Sequence, residues 1–415
     1  MNKAKSYNIP KRSVWEAYKR VKANKGAAGI DDITIEEFEK DLKNNLYKIW
    51  NHMSSGSYFP PPVKAVEIPK KNGGTRTLGV PTVADRIAQM TVKLHFEPKV
   101  EPYFHQDSYG YRPNKSAIDA VQITRTRCWK YNWVLEFDIK GLFDHIDHEL
   151  LMKAVKKHTD CDWVILYINR WLKAPFQRKD GSREERTAGT PQGGVISPVL
   201  ANLFLHYTFD KWMEINHCHN PWARYADDAV IHCRTKEEAQ VLLAELTSRF
   251  HECKLSLHPQ KTKIVYCKDS NRTQEYPNIS FDFLGYTFRP RQSINKQGEV
   301  FTNFTPAVSN KAKKAMRQTV RQWRIHRMTA VEIEDIARMF DPIIRGWMNY
   351  YGRFYKTELN NVLQHINKII ALWSRNKYKK MAKSKTRAIR WLRNLAINRK
   401  ELFTHWKSGA TPTIG

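Results

Sequence analysis

The sequence predicts a mixed α/β chain that becomes wholly helical towards its C-terminus, and three observations carry that prediction. Short apolar runs such as Val134, Leu135 and Phe137 in WVLEFD have the length and content of buried strands. Between them lie segments with apolar residues three and four apart, the mark of helices that bury one face. From about Asn310 onward only helical periodicity is left, and it is strongly basic. A domain boundary is therefore expected near residues 300–309, within a length that suits two or three domains.

In chain order, SVWEAYKRVKANK (13–25) reads as an amphipathic helix, and GAAGIDD (26–32) ends it and starts the next with Asp31 or Asp32 near the cap. Residues 58–81 alternate around Gly73-Gly74, which predicts a β-hairpin with Lys70 and Lys71 at a solvated, basic tip. Residues 84–97 and 114–128 read as helices. After the strand of WVLEFD come a loop and a long helical region, 148–173. The glycines of AGTPQGGVISP (188–198) form a loop that opens a helix from about Pro198 to Ile215. A hairpin around Tyr225 follows, then a helix near 236–252, the strand KTKIVYC (261–267) and a short strand in FDFLGYTFRP (281–290).

Charge narrows the partners. Lys and Arg number 70 against 41 Asp and Glu, a net charge of +29 spread along the whole chain. Such a protein meets a polyanion, and its 13 Trp and 18 Tyr supply flat faces that stack on bases. The tryptophans between the C-terminal cations pack inward more often than they stack, and the positive face survives either reading. Six cysteines without a Cys-x-x-Cys pair read as reduced and mostly buried, which predicts a cytoplasmic protein. His217-Cys218-His219 lacks a second ligand pair at zinc-finger spacing. No apolar run of membrane-spanning length and no signal peptide is seen, so no membrane partner is expected.

RYADDAVIH (224–232) places two carboxylates side by side. In a strand they would point to opposite faces, so a tight turn is the natural way to present both. Asp138 ends one buried strand, and Asp227-Asp228 precede another. Each acid alone is an ordinary surface or capping residue; neighbouring strands would gather all three at one sheet edge, where they suit divalent cations. A metal-dependent nuclease also uses such acids, but it has no need of the Gln192 loop or the basic hairpin.

FDIKGLFDHIDH, TPQGGVISPVLANLFL, RYADDAVIHC and FLGYTF, in that order, resemble the catalytic motifs of reverse transcriptases, most closely the group II intron-encoded class. RGWMNYYGRFY (345–355) is similar to the maturase-type thumb of those proteins, so the resemblance covers essentially the whole chain. It implies a right-hand polymerase: fingers and palm with a mixed sheet over 1–300, an all-helical thumb or maturase domain over 301–375, and a basic nucleic-acid-binding tail over 376–415.

The resemblance further implies that Asp138, Asp227 and Asp228, with the Ile139 carbonyl, hold two Mg²⁺ ions, Mn²⁺ being a possible substitute. Phe143 matches the side chain under the nucleotide sugar that blocks a 2′-hydroxyl; read alone it is a plain core aromatic. Gln192 and Gly193 would line the incoming nucleotide, and Arg76 and Arg86 would fork onto its triphosphate. Lys261 matches the lysine that could protonate pyrophosphate, and is otherwise a basic strand end. Leu284 and Gly285 would form the primer grip. The implied partners are intron and template RNA, a DNA primer or target, and deoxynucleotides. Full-length members often end in an HNH-type endonuclease with cysteine pairs; the last cysteine here is Cys267, so that domain is expected to be absent. Two other roles stay open: an RNA chaperone with incidental polymerase activity, and a host-serving enzyme of repair or phage defence.

Overall fold

The computed structural model describes residues 5–69 and 75–413. Its contacts divide the chain into two units, one made of Met1–Ala120, Leu135–Ile231 and Glu237–Lys263, the other of Val121–Val134, His232–Lys236 and Ile264–Gly415. Helix and sheet are mixed, and from Asn310 onward the chain is helical, the fold class the sequence predicts.

In the first unit, the helix Lys11–Asn24 buries Val14, Ala17, Tyr18 and Val21, one stripe at three- and four-residue spacing. The following helix, Ile35–Glu39, starts at Thr34 and not at Asp31 or Asp32. The Thr34 hydroxyl accepts the Glu37 N–H, and the Glu37 carboxylate accepts the Thr34 N–H, so two open donors are met at once. Asp31 turns instead onto the Ile33 N–H. Val63–Pro69 and Thr75–Val80 form the expected antiparallel ladder, with Ala65 opposite Gly79 and Ile68 opposite Arg76. Its turn, with Gly73, Gly74, Lys70 and Lys71, lies outside the described residues.

The helix Val83–Val100 is buried around most of its first half, so its polar groups need internal partners. Asp85 accepts from the Tyr58 hydroxyl (2.8 Å), Trp171 Nε1 (2.7 Å) and Gln89 Nε2 (2.9 Å). Burial pushes its carboxyl above the usual aspartate range, and these three donors pull it back.

The central sheet has the order Trp222–Tyr225, Asp228–Cys233, Trp133–Asp138, Lys263–Tyr266. Phe137 meets Phe209 and Phe250 edge-on, at 5.4 and 5.8 Å between ring centres. The region expected as one helix over 198–215 is Ser197–Leu205, a π-helical turn His206–Asp210, then Lys211–Asn216. Likewise 148–173 is two helices, His148–His158 and Asp162–Lys173, parted where Thr159 is extended.

In the second unit, Phe281–Phe283, Tyr286–Ile294 and Val300–Val308 form an antiparallel sheet with Tyr286–Ile294 in the middle. FDFLGYTFRP, expected as one strand, therefore reverses at Leu284 and Gly285, at φ 51° and 81°. Val300–Val308 is a strand that periodicity did not reveal, because only its last five residues are buried.

The helices Asn310–Gln322, Ile333–Tyr351, Thr357–Lys377 and Lys385–Asn398 share a core that includes Val320, Ile336, Ile344, Ile366 and Trp373. Trp323 stacks on Phe340 and Trp347, at 4.6 and 5.6 Å. Trp406 is buried too, held through Asn367. Asn367 Oδ1 faces His405 Nε2 (2.8 Å) and Trp406 Nε1 (2.9 Å), while its Nδ2 donates to the Ala410 carbonyl (3.0 Å). An amide oxygen only accepts, so His405 presents Nε2–H; burial lowers its pKa to about 3 and keeps the ring neutral.

Asn367→Ala leaves two buried ring N–H groups without acceptors, at about 1–3 kcal/mol each. The urea midpoint of the full chain is expected to fall, and trypsin to cut first between Lys400 and Lys407; an unchanged midpoint would show that water replaces the amide.

Candidate active site

The hairpin of Trp222–Tyr225 and Asp228–Cys233 turns through Ala226 and Asp227, with Tyr225 paired to Asp228. Of the adjacent carboxylates, Asp227 sits in the turn and Asp228 opens the strand that follows it. The Ile139 N–H donates to the Asp227 carbonyl (3.2 Å) and joins the end of the Trp133–Asp138 strand to the hairpin tip. Burial and the neighbouring Asp138 raise the Asp227 pKa above the usual aspartate range. Asp138 is itself pinned: its carbonyl accepts the His258 N–H (2.8 Å), and its Oδ2 takes Lys261 Nζ at 2.8 Å. Lys261 therefore belongs to the same cluster. Among the described residues no three Asp, Glu, His or Cys side chains form a ready metal cage.

Ala226 has φ 57°, a conformation that costs a residue with a Cβ roughly 1–2 kcal/mol. Arg224, fully buried, holds it there. Nε and Nη2 fork onto Asp210 (2.8 and 2.6 Å), Nη2 also reaches Ser108 Oγ (2.9 Å), and Nη1 donates to Asn202 Oδ1 and the Ala226 carbonyl, both at 3.2 Å. All five guanidinium N–H groups are used. The π turn His206–Asp210 ends at Asp210, the fork's acceptor. A Cβ on Gly110 would meet the Ala226 nitrogen at 2.4 Å, so the chain passes behind the turn only as glycine.

Around this turn the structure gathers several of the expected nucleotide-binding residues. Phe143 is half-buried, not a core aromatic, and its ring lies 6.4 Å from Tyr111, which lies 6.2 Å from Tyr225. The Tyr111 pKa is raised by burial and by Asp227 and lowered by Arg76, which puts Arg76 within electrostatic reach of the same group. Gln192 Nε2 approaches Asp144 Oδ1 at 3.5 Å. Its carbonyl accepts the Gly79 N–H (2.8 Å), and a Cβ on Gly193, at φ 117°, would sit 2.4 Å from the Gly79 carbonyl. Gln89 Oε1 accepts the N–H groups of Val195 (2.7 Å) and Ile196 (3.4 Å), so the loop is clamped from both sides.

Arg86 departs from expectation. It is buried, and its guanidinium donates to the carbonyls of Ala27 (2.8 Å) and Lys25 (3.4 Å). Its fork braces the loop after the first helix, a use that follows from its place in the buried first turn of Val83–Val100 and is invisible to a motif. Leu284 and Gly285 lie in the second unit, at the reversal between Phe281–Phe283 and Tyr286–Ile294. There Tyr350 Oη donates to the Leu284 carbonyl (2.8 Å), and a Cβ on Gly285 would meet Tyr351 Oη at 2.9 Å.

Sequence reasoning did not find Asp85, Gln89, Tyr111, Ser108, Asn202 or Asp210. Nothing in their local patterns marks them; their signal is the partner they meet in space.

The reverse transcriptase (RNA-dependent DNA polymerase) family matches residues 68–288, and the maturase-specific domain of group II introns matches residues 313–391. Group II intron-encoded protein LtrA of Lactococcus lactis subsp. cremoris is 27% identical over 422 residues, covering 81% of this chain and 68% of its own. Protein YkfC of Escherichia coli is 31% identical over 317 residues, covering 67% of this chain and 80% of its own. Among solved structures, a telomerase of Candida albicans bound to a fragment of telomeric RNA aligns over 90% of this chain and 67% of its own, at TM-score 0.46 and 12% identity. The chain belongs to the reverse transcriptase family, in the group II intron-encoded branch that carries a maturase domain. It is an RNA-directed DNA polymerase, the enzyme class its motifs imply.

Two outcomes follow. Arg224→Ala leaves Asp210 buried and unpaired, at a cost of ~3–5 kcal/mol in chemical unfolding; Arg224→Lys, which cannot reach every acceptor, is expected to lower primer extension more than stability. Asp227 gains a proton more readily when folded, so its contribution to stability is fully present below the ordinary aspartate pKa and is lost as pH rises through the raised one. Asp227→Asn removes that loss: its melting temperature should exceed that of the native chain at pH 7, and the gap should close towards pH 3 to 4.

Proposed function

We propose that this polymerase uses Asp138, Asp227 and Asp228, with the Ile139 carbonyl, to hold two Mg²⁺ ions, for which Mn²⁺ can substitute, and that it also grips intron RNA as a splicing maturase. The observation that carries the metal reading is the junction of Asp138 and Asp227 through the Ile139 N–H, which brings two carboxylates within mutual repulsion. Such a pair gains nothing in stability, and a divalent cation relieves it. The donors are hard oxygens, the set that Mg²⁺ prefers. Bound ions of this kind activate an attacking hydroxyl and stabilise a leaving pyrophosphate.

The chain's own residues supply position and protons. Arg224 keeps the aspartate turn rigid, and the clamped loop at Gln192 and Gly193 offers a fixed wall for a deoxynucleotide. Phe143, against Tyr111, is suited to sit beneath its sugar. Arg76 is the candidate for the triphosphate, and Arg86 is not, since its guanidinium is buried and turned onto the carbonyls of Ala27 and Lys25. The ammonium of Lys261, on Asp138, is the proton donor this reading assigns to pyrophosphate departure. Leu284 and Gly285, held by Tyr350 and Tyr351, form the primer grip.

The maturase reading rests on the domain match at 313–391 and on helices whose aromatics pack inward while lysines and arginines line their surface. In this reading 1–300 form fingers and palm, 301–375 the thumb and maturase domain, and 376–415 a basic tail on DNA or RNA.

Primer extension with Mg²⁺ on an RNA template tests the chemistry. Asp227→Ala/Asp228→Ala is expected to lose at least about a thousandfold in rate, the worth of several kcal/mol of transition-state stabilisation. The same variant should still support splicing of a cognate intron, because RNA grip and polymerisation use different groups. Full extension by the double variant would sink the metal assignment.

A further inference from the structure

We propose that the first unit carries a second RNA-binding site, on the helix His148–His158, that takes one unstacked base of a single strand together with its neighbouring phosphates. The inference rests on the reading of the chain as an RNA-handling enzyme but shares no residue with the aspartate site. Leu150 and Ala154 lie one turn apart on this helix, as do Lys153 and Lys157. With Phe204 they line an open cavity of about 240 Å³. That is below the roughly 300–1,000 Å³ of clefts that enclose whole drug-sized ligands, and it suits a single flat ring system.

The mouth of the cavity is cationic and aromatic at once. Lys153 and Lys157 are exposed, and neither pairs with a carboxylate among the described residues. Arg249 is spent elsewhere: it donates to the carbonyls of Tyr207 (3.1 Å) and Thr208 (3.2 Å) in the π turn and pairs with Glu252, so it shapes the wall. Lys157 Nζ lies 5.1 Å from the centre of the half-buried Tyr207 ring. The Tyr207 hydroxyl bonds His158 Nε2 (2.8 Å), and the His158 ring meets Tyr103, 61% exposed, edge-on at 4.7 Å. Burial and Lys157 lower the His158 pKa, so its ring is neutral near pH 7.

A run of rings from Tyr103 through His158 to Tyr207 therefore leads to an apolar cavity under two unpaired cations. Rings stack on any base, and lysines track the phosphates on either side. An acidic protein segment would satisfy the lysines but has no use for three successive rings, which is why single-stranded RNA is the occupant the chemistry favours.

The test compares the full-length native chain with Lys153→Gln/Lys157→Gln, using a short single-stranded oligoribonucleotide of mixed sequence as probe. Two lost phosphate contacts should make the log–log salt dependence shallower by about 1.4 and weaken binding roughly tenfold near 0.15 M salt. Extension of a short, pre-annealed primer–template should stay within about twofold, and arginine at both positions should restore binding. Photo-crosslinking of thiouridine-substituted RNA to the native chain should map to Tyr207 or Tyr103. Unchanged affinity and salt slope, or crosslinks confined to other surfaces, would overturn the proposal. Failure of the native chain to extend any primer would instead strike the polymerase reading and leave the binding comparison intact.

Discussion

A charged side chain with no access to water holds the turn at Ala226 and Asp227 in its shape. Burying a guanidinium costs several kcal/mol unless every donor is met, and Arg224 meets all five through Asp210, Ser108, Asn202 and Ala226. These partners come from three separate stretches of chain, so the network exists only when the first unit has folded around it. The return on that cost is positional. Ala226 keeps a left-handed backbone, Gly110 passes close behind it, and two acids that repel one another are fixed at the end of a strand.

The same logic recurs at the loop of Gln192 and Gly193. Asp85, buried, is satisfied by Tyr58, Trp171 and Gln89, and Gln89 in turn holds the backbone of Val195 and Ile196. The loop that carries Gln192 and Gly193 is thereby anchored to a rigid helix. Buried polar chains of this kind are high-stakes: fully satisfied they specify one geometry, and a single deletion strands the rest.

In the second unit Trp373 and Trp406 are buried, His405 is neutral, and the buried charges are paired, Asp341 with Arg345 and Arg291 with Glu358, while most of the lysines and arginines are exposed. A net charge of +29 destabilises a compact state through self-repulsion, and a polyanion bound to it relieves that repulsion. The maturase-specific match over residues 313–391 falls on these basic helices.

Much of this protein was legible in the order of its residues. The motif series led to the family, buried runs and helical spacing gave the mixed fold and its helical end, and the adjacent Asp227 and Asp228 called for a turn, which the hairpin makes at Ala226 and Asp227 with Asp228 opening the next strand. Local patterns were silent where the deciding partner is remote. They made one strand of FDFLGYTFRP, whose Leu284 and Gly285 reverse it, one helix of 198–215, which a π turn interrupts, and a triphosphate fork of Arg86, which burial turns onto the loop at Ala27. The sequence by itself determined which chemistry this chain carries, since carboxylates, lysines and glycines at motif spacing follow from local order alone. Only the tertiary structure decided how that chemistry is held, because Arg224 with Asp210, Gln89 with Val195 and Lys261 with Asp138 are pairs made by burial and distance in space, and neither is written along the chain.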